Sequence, residues 1–90
     1  MSVQIDIPLF LRHLTDGVIT ANVNGNTVGD CLADLVRQFP PLRGLLFDQN
    51  GELHKYVEIL VNGKSTYPEE LAKSVKDGDE IYILHAIAGG

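Results

Sequence analysis

The residues with the clearest chemical potential are the last two written, Gly89-Gly90. The chain does not run past them, so the expectation is a free α-carboxylate on Gly90 at the end of a thin, unbranched tail. Glycine lacks a Cβ, so Gly89-Gly90 can take backbone angles that other residues avoid. A narrow tunnel that excludes side chains would still admit them. Ala86-Ile87-Ala88-Gly89-Gly90, drawn out, reaches roughly 16 Å at about 3.3 Å per residue. The chemistry this suits is modification of the terminal carboxylate inside another protein's active site, with the upstream residues as a compact handle. The plain alternative is a frayed end, since chain termini are commonly poorly ordered.

No other constellation competes. His13, His54 and His85 are scattered, and the single cysteine, Cys31, completes no ligand set, so no metal site is expected. No serine sits in a nucleophile elbow, and no carboxylate pair stands apart from turns and solvated faces. Asn24-Gly25-Asn26-Thr27 precedes a helix but lacks the GK[ST] ending of a phosphate loop. The chain is therefore read as having no catalytic residues of its own, as not an enzyme, and as holding no cofactor.

Composition bounds the rest. Ninety residues make one domain with one core. Twelve acidic residues against seven basic give a net charge of −5. Such a surface repels phosphate backbones, which argues against nucleic acid, and suits a partner with a basic docking face. One cysteine forms no internal disulfide, and no stretch reaches the length of a membrane span. The expectation is a cytoplasmic chain, off the membrane and monomeric when free.

The elements that must position the tail follow from periodicity. Val3, Ile5 and Ile7 alternate with Gln4 and Asp6 as a half-buried strand ended by Pro8. Pro8 to Gly17 reads as a loop, and Val18 to Val23 as a second strand antiparallel to the first. Thr27 is an N-cap with Asp30 three residues on. Val28, Cys31, Leu32, Leu35, Val36 and Phe39 form one helical stripe, with Asp30, Asp34, Arg37 and Gln38 on the other side. Pro40-Pro41 stops the helix. Leu42 to Phe47 reads as one helical turn at a core edge.

Val57, Ile59 and Val61 alternate as a third strand, Asn62-Gly63 is a hairpin turn, and Lys64 to Tyr67 is a short return strand. Pro68 to Leu71 begins another helical turn, Asp77-Gly78-Asp79 is a tight turn, and Ile81 to His85 is the last strand. The first and last strands are the most apolar and are placed side by side at the centre. The fold class expected is α+β: a β-grasp, ubiquitin-like domain over residues 1–86. It has a mixed four- to five-stranded sheet with one main helix packed on one face, and residues 87–90 are its flexible tail. With Ile59 and Ile83 inward, Leu60, Tyr82, Leu84 and Ala86 face outward beside the tail. Grouped apolar side chains on an open face mark a docking site for a partner.

The helix start Thr27-Val28-Gly29-Asp30, the segment Ile59-Leu60-Val61-Asn62-Gly63, the turn Lys76-Asp77-Gly78-Asp79-Glu80 and the ending Ile83 to Gly90 together resemble the ubiquitin-like sulfur-carrier proteins of the ThiS/MoaD family. Leu53-His54-Lys55-Tyr56-Val57 looks most like the CysO-type carriers of cysteine synthesis. The resemblance implies that the Gly90 carboxylate, carried by Ala88 and Gly89, is adenylated by an ATP-using enzyme related to ubiquitin-activating enzymes. Sulfur then replaces AMP to give a thiocarboxylate. It implies a sulfur-acceptor enzyme as second partner: cysteine-synthase-like first, then a molybdopterin synthase large subunit or a thiazole synthase. Two other readings stay open: a ubiquitin-like modifier joined to target lysines, and a β-grasp interaction domain whose tail does nothing.

Overall fold

The computed structural model describes residues 2–85. Five strands form one mixed sheet in the order β2-β1-β5-β3-β4. They are β1 (Ser2–Asp6), β2 (Thr20–Asn24), β3 (Val57–Val61), β4 (Lys64–Ser65) and β5 (Glu80–His85). β1 and β5 lie side by side in the middle, parallel, with Ile5 beside Ile81. β1 pairs antiparallel with β2, and β5 with β3. This is the β-grasp arrangement expected from the order of apolar runs.

The main helix, α1 (Val28–Gln38), covers one face. Its N-cap is Thr27, whose Oγ1 accepts from the Asp30 amide at 3.1 Å. Val28, Cys31, Leu32, Leu35 and Val36 are buried against the inward residues Val3, Ile5, Val23, Ile59, Ile81 and Ile83. Leu42 and Leu46, on the 3-10 turn Pro40–Leu42 and the short α2 (Arg43–Leu46), close the edge of that core.

Three local expectations need correction. Pro8 to Gly17 is not a plain loop: Leu9–Leu14 forms a 3-10 helix that drops Leu11 into the core. Thr15 closes it, its hydroxyl bonding the Arg12 and Val18 carbonyls. Asp34 is not on a solvated side. It is buried, because its carboxylate accepts from the Asn24 amide at 2.9 Å at the end of β2 and pairs with the Arg37 guanidinium. The return strand is only Lys64–Ser65. Thr66 turns inward, its hydroxyl donating to the Ile59 carbonyl at 2.8 Å, which takes the chain out of the ladder.

Candidate docking face and tail root

The outward face of the sheet is where the candidate residues fall. On β3, Val57, Ile59 and Val61 are buried while Glu58 and Leu60 point outward; on β5, Ile81 and Ile83 are buried while Tyr82 and Leu84 point outward. Leu60 and Tyr82 are directly paired across the strands, and Leu84 sits one pair further along, opposite Glu58. Leu84 is 44% exposed, and Leu60 and Tyr82 are half-covered by each other's neighbourhood. Cross-strand pairs of this kind bring side chains within contact distance. Three of the four docking residues expected from sequence are thus brought together. The fourth, Ala86, lies outside the described residues, as do Ala88, Gly89 and Gly90 of the tail.

The strip is narrow and its rim is acidic. The β1 and β2 positions on this face are polar: Gln4, Asp6, Thr20 and Asn22. Asp6 stands beside Tyr82 and Gln4 beside Glu80. The Tyr82 hydroxyl donates to Glu80 Oε1 at 3.1 Å, and this bond, with the Glu80 charge, raises the phenol above its ordinary range. Tyr82 therefore stays a neutral hydroxyl at physiological pH. The face offers apolar contact in the centre and carboxylates around it, which suits a partner surface with a basic rim.

At the end of β5 that leads to residue 86, four rings from three parts of the chain converge. His85 lies against Phe10 (centroids 5.0 Å) and, edge-on, against Tyr56 (4.7 Å). Tyr56 stacks in turn on His54 at 4.8 Å. His54 is held by its amide on the Leu46 carbonyl and by its Nε2 against the Gly44 carbonyl at 2.9 Å. Leu9, 76% exposed, sits next to Phe10 on the same 3-10 helix. None of Leu9, Phe10, Tyr56 or His85 was singled out in the sequence as part of a site. A loop reading hides Phe10, and nothing local in Tyr56 and His85 shows that β3 and β5 bring them together.

The remaining candidates carry no chemistry here. Cys31 is fully buried, and burial first, then the charges of Asp30 and Asp34, push its thiol up to about 11. A thiol so held is not the thiolate that sulfur transfer requires. Among the described residues, no three His, Cys, Asp or Glu side chains group to hold a metal ion, and no helix is long and apolar enough to cross a membrane.

Sequence comparison places this geometry. The ThiS family model matches residues 8–90. The chain belongs to the ThiS family. Among its relatives, sulfur carrier protein CysO of Mycobacterium tuberculosis is 36% identical over 93 residues, spanning all of both chains. Small archaeal modifier protein 1 of Haloferax volcanii is 33% identical over 73 residues, 80% of each chain. Among solved structures, a chain in the crystal structure of the Amycolatopsis orientalis BexX/CysO complex superposes with a TM-score of 0.88 at 31% identity. That match covers 98% of this ThiS-family chain and 99% of the other.

Proposed function

We propose that this ThiS-family protein is a cytoplasmic sulfur carrier and not an enzyme. The observation that supports this best is the full-length likeness to CysO, in sequence and fold, in a chain whose central strand leads straight toward Ala88-Gly89-Gly90. In this reading an ATP-using activating enzyme adenylates the Gly90 carboxylate. A carboxylate is a poor electrophile, and AMP supplies the leaving group. A sulfur nucleophile then displaces AMP and leaves a thiocarboxylate, which the tail carries to the acceptor enzyme. Leu60, Tyr82 and Leu84, with Ala86, form the docking strip, and the acidic rim selects a basic partner face. ATP binds to the activating enzyme and not to this chain. The acceptor is a cysteine-synthase-like enzyme in first place, ahead of a molybdopterin synthase subunit or a thiazole synthase.

Intact mass of the protein from its native cells tests the reading. A species heavier by the exchange of one oxygen for one sulfur supports it. A second reading, a modifier joined to lysines, is favoured by the likeness to the archaeal modifier protein. Gly-Gly remnants on lysines of other proteins, with no thiocarboxylate species, would establish that reading instead. Retention of a molybdopterin synthase subunit in a pull-down, without a cysteine-synthase-like enzyme, would reverse the order of acceptors.

A further inference from the structure

The end of the sheet opposite the tail root carries a feature the carrier chemistry leaves unused. Three of the chain's seven basic residues, Lys64, Lys73 and Lys76, stand around one recess of about 560 Å3. Val61 and Val75 supply its apolar wall, and Asn62, Ser65 and Ser74 its polar one. Its lone acidic member is Asp79. The lining holds a surplus of positive charge in a chain whose total is −5.

Both banks are fixed by the fold. Lys64 belongs to the edge strand β4, paired through Val61. The segment with Lys73 and Lys76 is tied to the start of α1: the Val28 amide donates to the Lys73 carbonyl at 2.9 Å, and the Val75 amide to Asn26 at 3.0 Å. The Asp79 carboxylate is already occupied. Its Oδ1 accepts from Asn62 Nδ2 at 3.0 Å and its Oδ2 from the Lys76 amide at 2.9 Å. Among the described residues, none of the three lysines forms an ion pair, since the one ion pair joins Arg37 to Asp34. The Lys76 charge also acts on Asp79 from beyond ion-pair distance, and the surplus of the three ammonium groups is left for an outside anion.

The character of the recess narrows what that anion is. Its size falls in the range of ligand sites, roughly 300–1,000 Å3, well beyond a single oxyanion. No aromatic ring lines it, so it offers nothing for a nucleobase to stack on. It runs beside β4, an open sheet edge, where an extended peptide can align its backbone while side chains meet the pocket. We propose that the recess takes an acidic peptide segment of a protein partner, extended beside β4, with its carboxylates on Lys64, Lys73 and Lys76. Asp79 lines the recess and β5 begins at the next residue, so the length of that strand, roughly 17–20 Å, separates the recess from the tail root. A partner can hold the protein here while the tail is engaged elsewhere. The proposal stands apart from the carrier reading, because it needs no activity of the tail.

The test is fluorescence anisotropy of a short labelled poly-glutamate peptide titrated with the full chain. We expect saturable binding that weakens as salt rises from about 10 mM to 150 mM. The triple variant Lys64→Gln, Lys73→Gln, Lys76→Gln should lose about tenfold or more in affinity. Lys55→Gln, at a lysine outside the recess, should change it less than about twofold, and melting curves should show all variants folded. Each single variant, tested separately, should account for part of the loss. No saturable binding to the native chain overturns the proposal, as does an equal loss in Lys55→Gln. Displacement of the peptide by tripolyphosphate at a lower concentration than by unlabelled poly-glutamate also overturns it, because the site would then be one for small oxyanions.

Discussion

Neighbouring residues on one strand have opposite fates here, and that gives the sharpest mutational contrast. Ile59 is 1% exposed among Val23-side and α1-side core residues, whereas Leu60 points outward against Tyr82. Ile59→Asp buries an unpaired carboxylate and should cost about 3 kcal/mol or more. In a domain of this size that lowers the melting temperature by more than about 12 °C. Leu60→Asp should stay within about 1 kcal/mol of the native chain yet, on the carrier function proposed above, weaken capture by an activating enzyme. If Gly90 is adenylated as proposed, Gly90→Val should leave both folding and capture near native and abolish ATP–pyrophosphate exchange, because a branched side chain beside the carboxylate would not fit a tunnel that excludes side chains. Melting, affinity and exchange measured on the three variants check these together. A Leu60→Asp protein that melts like Ile59→Asp would contradict the inward-outward alternation described for β3.

Cys31 gives a second expectation at the same scale. With its thiol buried and pushed up to about 11, it should resist a thiol-specific reagent at mildly alkaline pH until the protein is denatured. Rapid labelling of the folded chain would refute this. The sequence shows Cys31 in the apolar stripe, and its inertness follows from that. It does not show Asp34 as buried, because the group that draws it in, the Asn24 amide at the end of β2, belongs to another element.

Among elements, the turn between β3 and β4 does more than reverse the chain. Asn62 and Gly63 both take positive φ, 52° and 84°, as a hairpin turn of this kind requires. The Asn62 side chain also reaches across to β5: its Oδ1 accepts from the Glu80 amide at 2.9 Å, and its Nδ2 donates to Asp79. That bond first, then the Lys76 amide, holds the Asp79 carboxyl below its ordinary 3.8. A carboxyl lowered on folding adds stability that is complete above the ordinary value. The contribution is lost as pH falls from there through the lower folded one. Asp79→Asn should therefore melt lower at neutral pH, and its loss of stability on acidification below about pH 4 should be shallower than that of the native chain. Parallel acid melts of the two would decide it. The turn was legible as Asn-Gly, but its second bond, to β5, was not, since sequence gives no partner for a side chain across a sheet.

The 3-10 helix Leu9–Leu14 is the element that the sequence pattern hides as a loop. Its residues follow neither a strand nor an α-helical period, so Leu11 gave no signal of burial and Phe10 none of its place on His85. Phe10 contacts His85, the last described residue, so if the chain is activated as proposed, Phe10→Ala should raise the KM for the chain in that step more than it lowers kcat, with little change in melting. Leu45→Ala, an exposed apolar residue on α2, serves as the control and should change neither. Equal losses in the two variants would remove any special part for the ring cluster.

At the scale of the whole molecule, strand order and helix coverage were readable because each apolar run keeps one period and each is closed by a cap, a proline or a turn. Their assembly followed from placing the two most apolar strands, β1 and β5, at the centre. The outward apolar strip was readable for the same reason: alternation fixes which of Ile59 and Leu60 faces out. What escaped were convergences between distant segments, the four rings at one end and the three lysines at the other. Nothing in the spacing of such residues announces where the fold will bring them.

The parallel pairing of β1 with β5 has a consequence for how the protein comes into being. The strand at the centre of the sheet is the last of the five in chain order, and its pairing with β1 closes the longest loop of any strand pair, an entropic cost that local contacts do not repay early. Until residues 80–85 emerge, β1 and β3 have no common neighbour, and Ile5 and Ile59 lack the strand that joins their halves of the core. A chain halted before residue 80 should show no cooperative melt. If it melts as sharply as the full chain, β5 is an accessory and not the keystone. Folding is thus tied to the strand that precedes the tail: the two halves of the core close only when β5 takes its place between them.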